Sequence, residues 1–175
     1  MTELLDWIDE QGNVITAIPK KEAYEKQRII NIVHTFVIEP ENGKIFLQKR
    51  APHVLYKPNC WCTSAGGHVR AGEQIDVAAK RELAEEIGIE TTPQYLEKIQ
   101  YKHHNGHVMH LHIYATITDE KVYFTDGEVS EGEYFSLEEI DTLLTQGEFI
   151  HPQLPPTIET LKEHYESLLR SARRT

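Results

Sequence analysis

Residues 67–89 read GHVRAGEQIDVAAKRELAEEIGI, and the way this stretch divides decides what the rest of the chain must be. Its second part, residues 74–87, has no glycine or proline and is dense in Ala, Glu, Leu, Arg and Lys, so a helix is predicted there, stopping at Gly88. In front of it, Gly66, Gly67 and Gly72 let the backbone approach a bound group closely, because no Cβ intervenes and positive φ is allowed. At about 100° per residue, Glu82, Glu85 and Glu86 fall within about 100° of one another. Three carboxylates on one narrow helix face repel. A divalent cation among them removes that repulsion, and ligation by oxygen alone suits Mg²⁺ or Mn²⁺ better than Zn²⁺. A loop carbonyl can complete the ion's coordination. Ala79, Leu83 and Ile87 form a neighbouring apolar stripe that pins the helix to a sheet. Arg81 is expected on a different side of the helix, pairing with Glu73 to brace the loop before it. A run such as residues 82–86 is by itself a solvated helix face; the glycines and Arg81 turn the reading towards a metal site.

Working outward, residues 4–18 read as a small hairpin around Gln11-Gly12-Asn13, followed by a polar helix over residues 20–27. The β-branched run 29–38, the turn Glu41-Asn42-Gly43 and the returning segment 44–48 read as a core hairpin. Residues 51–65 carry Pro52, Pro58 and several aromatics without a period and are read as a loop over a pocket. Beyond the central helix, 95–103 and 107–117 form a hairpin across Asn105-Gly106, and 121–125 and 129–135 are expected as shorter strands. Ser136 with Glu139 makes a capping box for a short helix, and Pro155-Pro156 opens a last helix with Ile158, Leu161, Tyr165, Leu168 and Leu169 on one stripe. Mixed strands and helices favour an α/β layered sandwich.

Composition bounds the rest. A chain of 175 residues with 39% apolar and 26% charged residues is that of a soluble protein able to bury its own core, and no apolar run approaches the about 20 residues that span a bilayer. Asp6, Asp9 and Glu10 interrupt the N-terminus where a secretory signal needs an apolar core, so a cytoplasmic protein is expected. Cys60 and Cys62, two positions apart, are read as reduced thiols. The formal charge of −10 repels nucleic acid polymers and anionic membranes, so a phosphate-bearing substrate must be met by a local cation or a bound metal.

The spacing Gly67, Glu73, Arg81-Glu82-Leu83, Glu85-Glu86, Gly88, Ile89, with five residues between Gly67 and Glu73 and seven between Glu73 and Arg81, resembles the Nudix box at every fixed position. The box spans 23 of 175 residues; elsewhere the likeness lies in the order of elements. The resemblance implies a Nudix-type α/β/α sandwich with a mixed central sheet. It implies one domain over residues 1–175, with a hairpin and helix in 1–28, the core in 29–150 and a C-terminal helix in 151–175. It also implies that Glu82, Glu85 and Glu86, with the Gly66 carbonyl, bind Mg²⁺ (or Mn²⁺), and that Glu73 and Arg81 support them. The implied activity is that of a pyrophosphatase: hydrolysis of a diphosphate bond in a nucleoside diphosphate linked to another group, or in a similar small molecule. The general base stays open among Glu82, Glu86, Glu128 and Glu131, the last two in the acidic stretch after Asp126.

Residues 57–64 and the Gly67-His68 pair also resemble the isopentenyl-diphosphate isomerase branch of the same fold. That branch places its active cysteine directly before the Gly-His pair, where this chain has Gly66, and it typically lacks the full Arg-Glu-x-x-Glu-Glu run. Cys60 and Cys62 stand at the wrong offset to replace it. Hydrolysis is therefore favoured, with an isomerase-like enzyme and a non-catalytic nucleotide-binding sensor as the other readings. Arg50, Lys57 and His68 are the candidates for contacting substrate phosphate, and for Arg50 and Lys57 ordinary surface exposure is the competing reading. Tyr56 and Trp61 are expected to anchor their loop to the core. His103, His104, His107, His110 and His112 are read as a polar edge hairpin rather than a zinc site, although His110 and His112 share a strand face. A homodimer through the N-terminal hairpin or the last helix and a monomer both stay open.

Overall fold

The computed structural model describes residues 2–125, 127–147 and 149–173, so Asp126 lies outside the described residues. The chain begins as the expected hairpin, β1 (Leu4–Ile8) and β2 (Val14–Pro19). Its turn is held by the Asp9 carboxylate, which accepts from the Gln11 and Asn13 backbone N–H groups and from the Asn13 side chain. Helix α1 (Lys20–Glu25) ends earlier than its composition suggests, since Gln27 takes φ +50 and turns the chain into β3 (Ile30–Ile38). There follow β4 (Ile45–Arg50), β5 (Trp61–Cys62), β6 (Ala65–His68), α2 (Ile75–Ile87), β7 (Gln94–Lys102), β8 (Val108–Ile117), β9 (Val129–Phe135), α3 (Leu137–Gln146) and α4 (Leu154–Ala172).

The sheet runs β5-β4-β3-β8-β7, with β6 paired to β3 and β9 to β4. It is mixed: β3 and β8 are parallel over their whole length, and the other pairs are antiparallel. Alternation along β3 sets the layers. Phe36 and Ile38 meet Ile45, Leu47, Ile158 and Leu161 on the α4 side, while Val37 meets Phe46, Leu83, Ile87 and Ile89 on the α2 side. Ala78 and Ala79 of α2 pack with Val33, Val69 and Tyr114. This is the α/β/α sandwich that the box implies. The N-terminal hairpin lies against it through Leu5 and Ile18, which cluster with Ile30 and Met109.

β3 has two neighbours on the same edge. β6 pairs with it from Ile32 to Thr35, and β4 pairs with it only at Val37 and Ile38. Ser64 closes the junction, accepting from the Val37 N–H at 2.7 Å while its hydroxyl donates to the Phe46 carbonyl. The result is a fork that opens towards the glycine turn.

Residues 51–65 are not loop throughout: Trp61–Cys62 is a strand on β4, and the chain re-enters the sheet at Ala65 as β6. Residues 121–125 form no strand. Their donors go instead to the exposed carbonyls at the end of α2, Tyr123 N–H to Ile87 at 2.9 Å, Thr125 N–H to Glu86 at 3.4 Å, and the Thr125 hydroxyl to Glu85. The histidine hairpin is not a polar edge, because only β7 is at the edge. His107 and His110 are buried, His107 Nε2 lies 2.7 Å from the Arg28 carbonyl, and His112 Nε2 lies 2.8 Å from Asn31 Oδ1. Cys60 and Cys62 are free and buried, as expected of reduced thiols.

Candidate active site

Helix α2 carries the site because its two ends are fixed. At its first turn Asp76 accepts from the Tyr114 hydroxyl at 2.5 Å, and at its last Gly88 takes φ +71 and caps it. Between them Ala79, Leu83 and Ile87 are fully buried, so the helix cannot roll about its axis. The three glutamates then fall at different depths. The Glu86 residue is 4% exposed, the Glu82 side chain 13% and the Glu85 side chain 45%.

Glu86 is the innermost. Its Oε2 accepts from Gln48 Nε2 at 2.8 Å and from the Gly66 N–H at 2.9 Å. Glu82 lies flat against Gly67: a Cβ on that glycine would stand 2.4–2.7 Å from the carboxylate atoms, so only glycine permits the approach. Burial pushes the Glu82 carboxyl above the usual carboxylate range, against the pull of Arg81.

Arg81 does more than pair with Glu73. Its Nε and Nη2 donate to the two oxygens of Glu73 at 2.7 and 2.9 Å, a fork-to-fork pair, and Nη2 also donates to the His68 carbonyl at 3.0 Å. Burial alone would raise Glu73, but these bonds and the Arg70 N–H hold it below its ordinary value. Nη1 departs from the expectation that Arg81 keeps to a different side of the helix. It donates to Glu82 at 2.6 Å and to Glu85 at 3.0 Å, because a long side chain can bend back over the neighbouring turn. Arg70 Nη2 lies 3.3 Å from both oxygens of Glu85.

The donor set suits a hard divalent cation. Three carboxylates, Glu73, Glu82 and Glu85, are knit together with the guanidinium groups of Arg70 and Arg81, while Glu86 accepts from Gln48 and the Gly66 N–H, leaving formal negative charge in partly buried surroundings. Among the described residues, no three acidic, histidine or cysteine side chains converge as a finished cage. The point between Glu82 and Glu85 is held by Arg81 Nη1, so an ion received there displaces one guanidinium contact.

These groups open into a cavity of about 1420 Å³. Glu82, Glu85 and Glu86 line it, as does Glu128 from the segment before β9. Arg50 and His68 are on its wall, whereas Lys57 does not line it. Arg50 Nε donates to the Tyr56 carbonyl at 3.0 Å, and His68 Nε2 is 2.7 Å from the Tyr24 hydroxyl. Glu131, a candidate base, is instead held by Lys49 at 2.6 Å and does not line the cavity. Trp61 packs against Phe135 and the core as expected, while Tyr56 faces the cavity and meets His103 Nε2 at 2.9 Å.

Sequence reading missed the cavity floor. His34 lies between Thr63 Oγ1 and Gln153 Oε1, 2.9 Å from each, and His151 stands nearby on the wall. Burial pushes His34 down to about 4 and His151 to about 3, so both are neutral at pH 7. The available signal was a lone histidine within an apolar strand. Gln153 and His151 carried none, because they come from the far end of the chain.

Four likenesses, to one family and to three known proteins, bear on a chain with this geometry. A family model described as the NUDIX domain matches residues 31–157. A Nudix hydrolase of Clostridium acetobutylicum is 30% identical over 170 residues, covering 86% of this chain and 82% of its own length. Isopentenyl-diphosphate Delta-isomerase 1 of Photorhabdus laumondii is 27% identical over 170 residues, covering 92% of this chain and 96% of its own. Among solved structures, a Deinococcus radiodurans protein superposes with a TM-score of 0.75 at 22% identity, over 97% of this chain and 99% of that one.

Proposed function

The chain belongs to the NUDIX family of hydrolases, and from that premise we propose that it uses Mg²⁺ or Mn²⁺ to cleave a diphosphate bond in a nucleoside diphosphate linked to another group, or in a similar small molecule. The observation that carries this reading is the graded set of Glu82, Glu85 and Glu86 on one fixed helix, with Glu82 against Gly67 and Arg81 locked to Glu73, on the wall of a large cavity.

The residues that would hold the ion are Glu82, Glu85, Glu86 and the Gly66 carbonyl. A divalent ion held there would polarise phosphoryl oxygens and lower the pKa of the attacking water. The chain's own groups do the rest. Glu73 and Arg81 keep the glycine turn and α2 in register, Arg50 and His68 receive the phosphates from the cavity wall, and the neutral imidazoles of His34 and His151 leave the floor uncharged. The proton of the attacking water goes to a carboxylate; Glu82, Glu86 and Glu128 stand on the cavity, whereas Glu131, engaged by Lys49, is set aside. We read residues 1–175 as one domain acting in the cytoplasm on a small molecule rather than on a nucleic acid polymer. Among the described residues no helix is long and apolar enough to cross a membrane.

An isomerase reading is raised by the Photorhabdus laumondii relative, but position 66 argues against it. A Cβ there would stand 2.6 Å from the Val33 carbonyl and 2.9 Å from His34 Nδ1, so this backbone has no room for the cysteine the isomerase branch carries. The test is a panel of nucleotide sugars, dinucleotides, nucleoside di- and triphosphates and prenyl diphosphates, assayed with Mg²⁺ and with EDTA. Mg²⁺-dependent cleavage of a phosphate bond is expected. Double-bond migration without phosphate release would give the isomerase, and tight binding without turnover would give the sensor.

A further inference from the structure

Gln48 is a polar residue in an apolar place. Phe46, two residues before it on β4, packs with Val37, Leu83 and Ile87, and a strand returns to the same face every second residue, so Gln48 also looks into the α2 layer. It is 2% exposed. Its Nε2 donates to Glu86 Oε2, while its own Oε1 has no hydrogen-bond partner among the described residues. Thr35 Oγ1, two residues before Val37 and therefore in the same layer, is likewise unpartnered among them.

Leaving a buried carbonyl unbonded is unfavourable, because the hydrogen bond it made to water in the unfolded chain is not replaced. Methionine or leucine would fill the same space beside Phe46 and Val37 without that cost. The fold thus carries an amide here at the expense of stability, and the bond that amide makes ends on Glu86. The place of that bond is specific. Gln48 stands on one prong of the fork where β4 leaves β3, Gly66 stands on the other, and both donate to the same oxygen of a side chain reaching in from α2.

We propose that Gln48 is a positioning residue: with the Gly66 N–H it clamps Oε2 of Glu86, so that the carboxylate meets a divalent ion in one fixed orientation. The inference rests on Glu86 belonging to the ion-binding set proposed above. A glutamate free to rotate about its side-chain bonds must be ordered each time an ion binds, whereas one held by donors on two separate strands is ordered beforehand. Groups that orient metal ligands in this way typically contribute 10–100-fold to metal affinity or activity.

The test uses the full chain with Gln48→Met, which keeps the length of the side chain and removes the donor, and Gln48→Glu, which keeps its shape and replaces donor by acceptor. Mn²⁺ binding to metal-free protein is followed by electron paramagnetic resonance, and kinetics with Mg²⁺ are measured on the substrate found by the panel. Both variants should weaken Mn²⁺ binding roughly tenfold or more and lower kcat by a similar factor, with KM within about threefold of wild type. Thr35→Val, which removes an unpartnered hydroxyl from the same layer, should leave both readings unchanged. A folded Gln48→Met or Gln48→Glu with Mn²⁺ affinity and kcat within about twofold of wild type would overturn the proposal while leaving the function standing. Wild-type protein that binds no Mn²⁺ would overturn both.

Discussion

Arg81 gathers Glu73, Glu82 and Glu85 around one guanidinium. The pairing with Glu73 follows from the spacing along the chain, because a planar guanidinium eight residues from a glutamate in the preceding loop has one natural partner. The reach of Nη1 to Glu82 and Glu85 does not follow, because helix angles place Cβ atoms and not the far end of a long side chain. Arg81→Ala leaves Glu73 and Glu82 partly buried without their main cation, and a loss of about 3 kcal/mol is expected in urea unfolding with EDTA present. Because the variant carries more uncompensated negative charge, Mg²⁺ should raise its unfolding midpoint more than it raises that of wild type; an equal or smaller rise would show that the ion and the guanidinium do not share the carboxylates. Glu86→Gln should keep the fold and lower kcat by at least two orders of magnitude. Near-normal turnover would remove Glu86 from the chemistry.

At the scale of elements, the glycine strand β6 and helix α2 behave as one unit, and the sequence announces one of them far better than the other. α2 is legible because composition, the apolar stripe and Gly88 agree on it, and α3 because Ser136 and Glu139 form the capping box, with Glu139 N–H donating at 3.2 Å and Ser136 N–H at 2.7 Å. β6 is not legible: Ala-Gly-Gly-His has little strand propensity, and its pairing is imposed by β3. Residues 121–125 mislead in the opposite sense, since Val122, Tyr123 and Phe124 suit a strand but their backbone is needed by the carbonyls of α2. The two glycines of β6 should answer differently to alanine. At Gly67 the added methyl meets the Glu82 carboxylate, which can swing aside, so Gly67→Ala should melt near wild type and lose most of its Mn²⁺ affinity. At Gly66 it meets the Val33 carbonyl, which cannot move without parting the strands, so Gly66→Ala should lose thermal stability outright. Equal effects of the two substitutions in calorimetry would contradict the placement of Glu82.

For the molecule as a whole, the fold joins distant segments around one cavity, and that is why its floor could not be read from any one stretch. His34 from β3 and His151 from the approach to α4 are buried and neutral together. The unfolded chain protonates them near pH 6.5, whereas the folded protein resists until about 4 and about 3, so the unfolded state binds more protons between these values. Their share of stability is complete above about pH 6.5 and is lost as the pH falls towards 4. Glu73, lowered in the fold, keeps its contribution above the ordinary carboxylate range and loses it only at lower pH, so the interval from pH 7 to 5 belongs to the histidines that burial lowers, His68, His110 and His112 along with His34 and His151, opposed by the raised Glu82. The urea midpoint should fall across that interval, and less so in His151→Phe; an identical fall in both would place the acid sensitivity elsewhere. Calorimetric titration of metal-free protein with Mn²⁺ asks whether the three glutamates of α2 hold a divalent ion. Saturable binding is expected in wild type and none in the triple variant Glu82→Gln, Glu85→Gln, Glu86→Gln, provided that the variant still melts cooperatively. Wild-type protein that takes up no ion, or a triple variant that binds as tightly as wild type, would contradict the account.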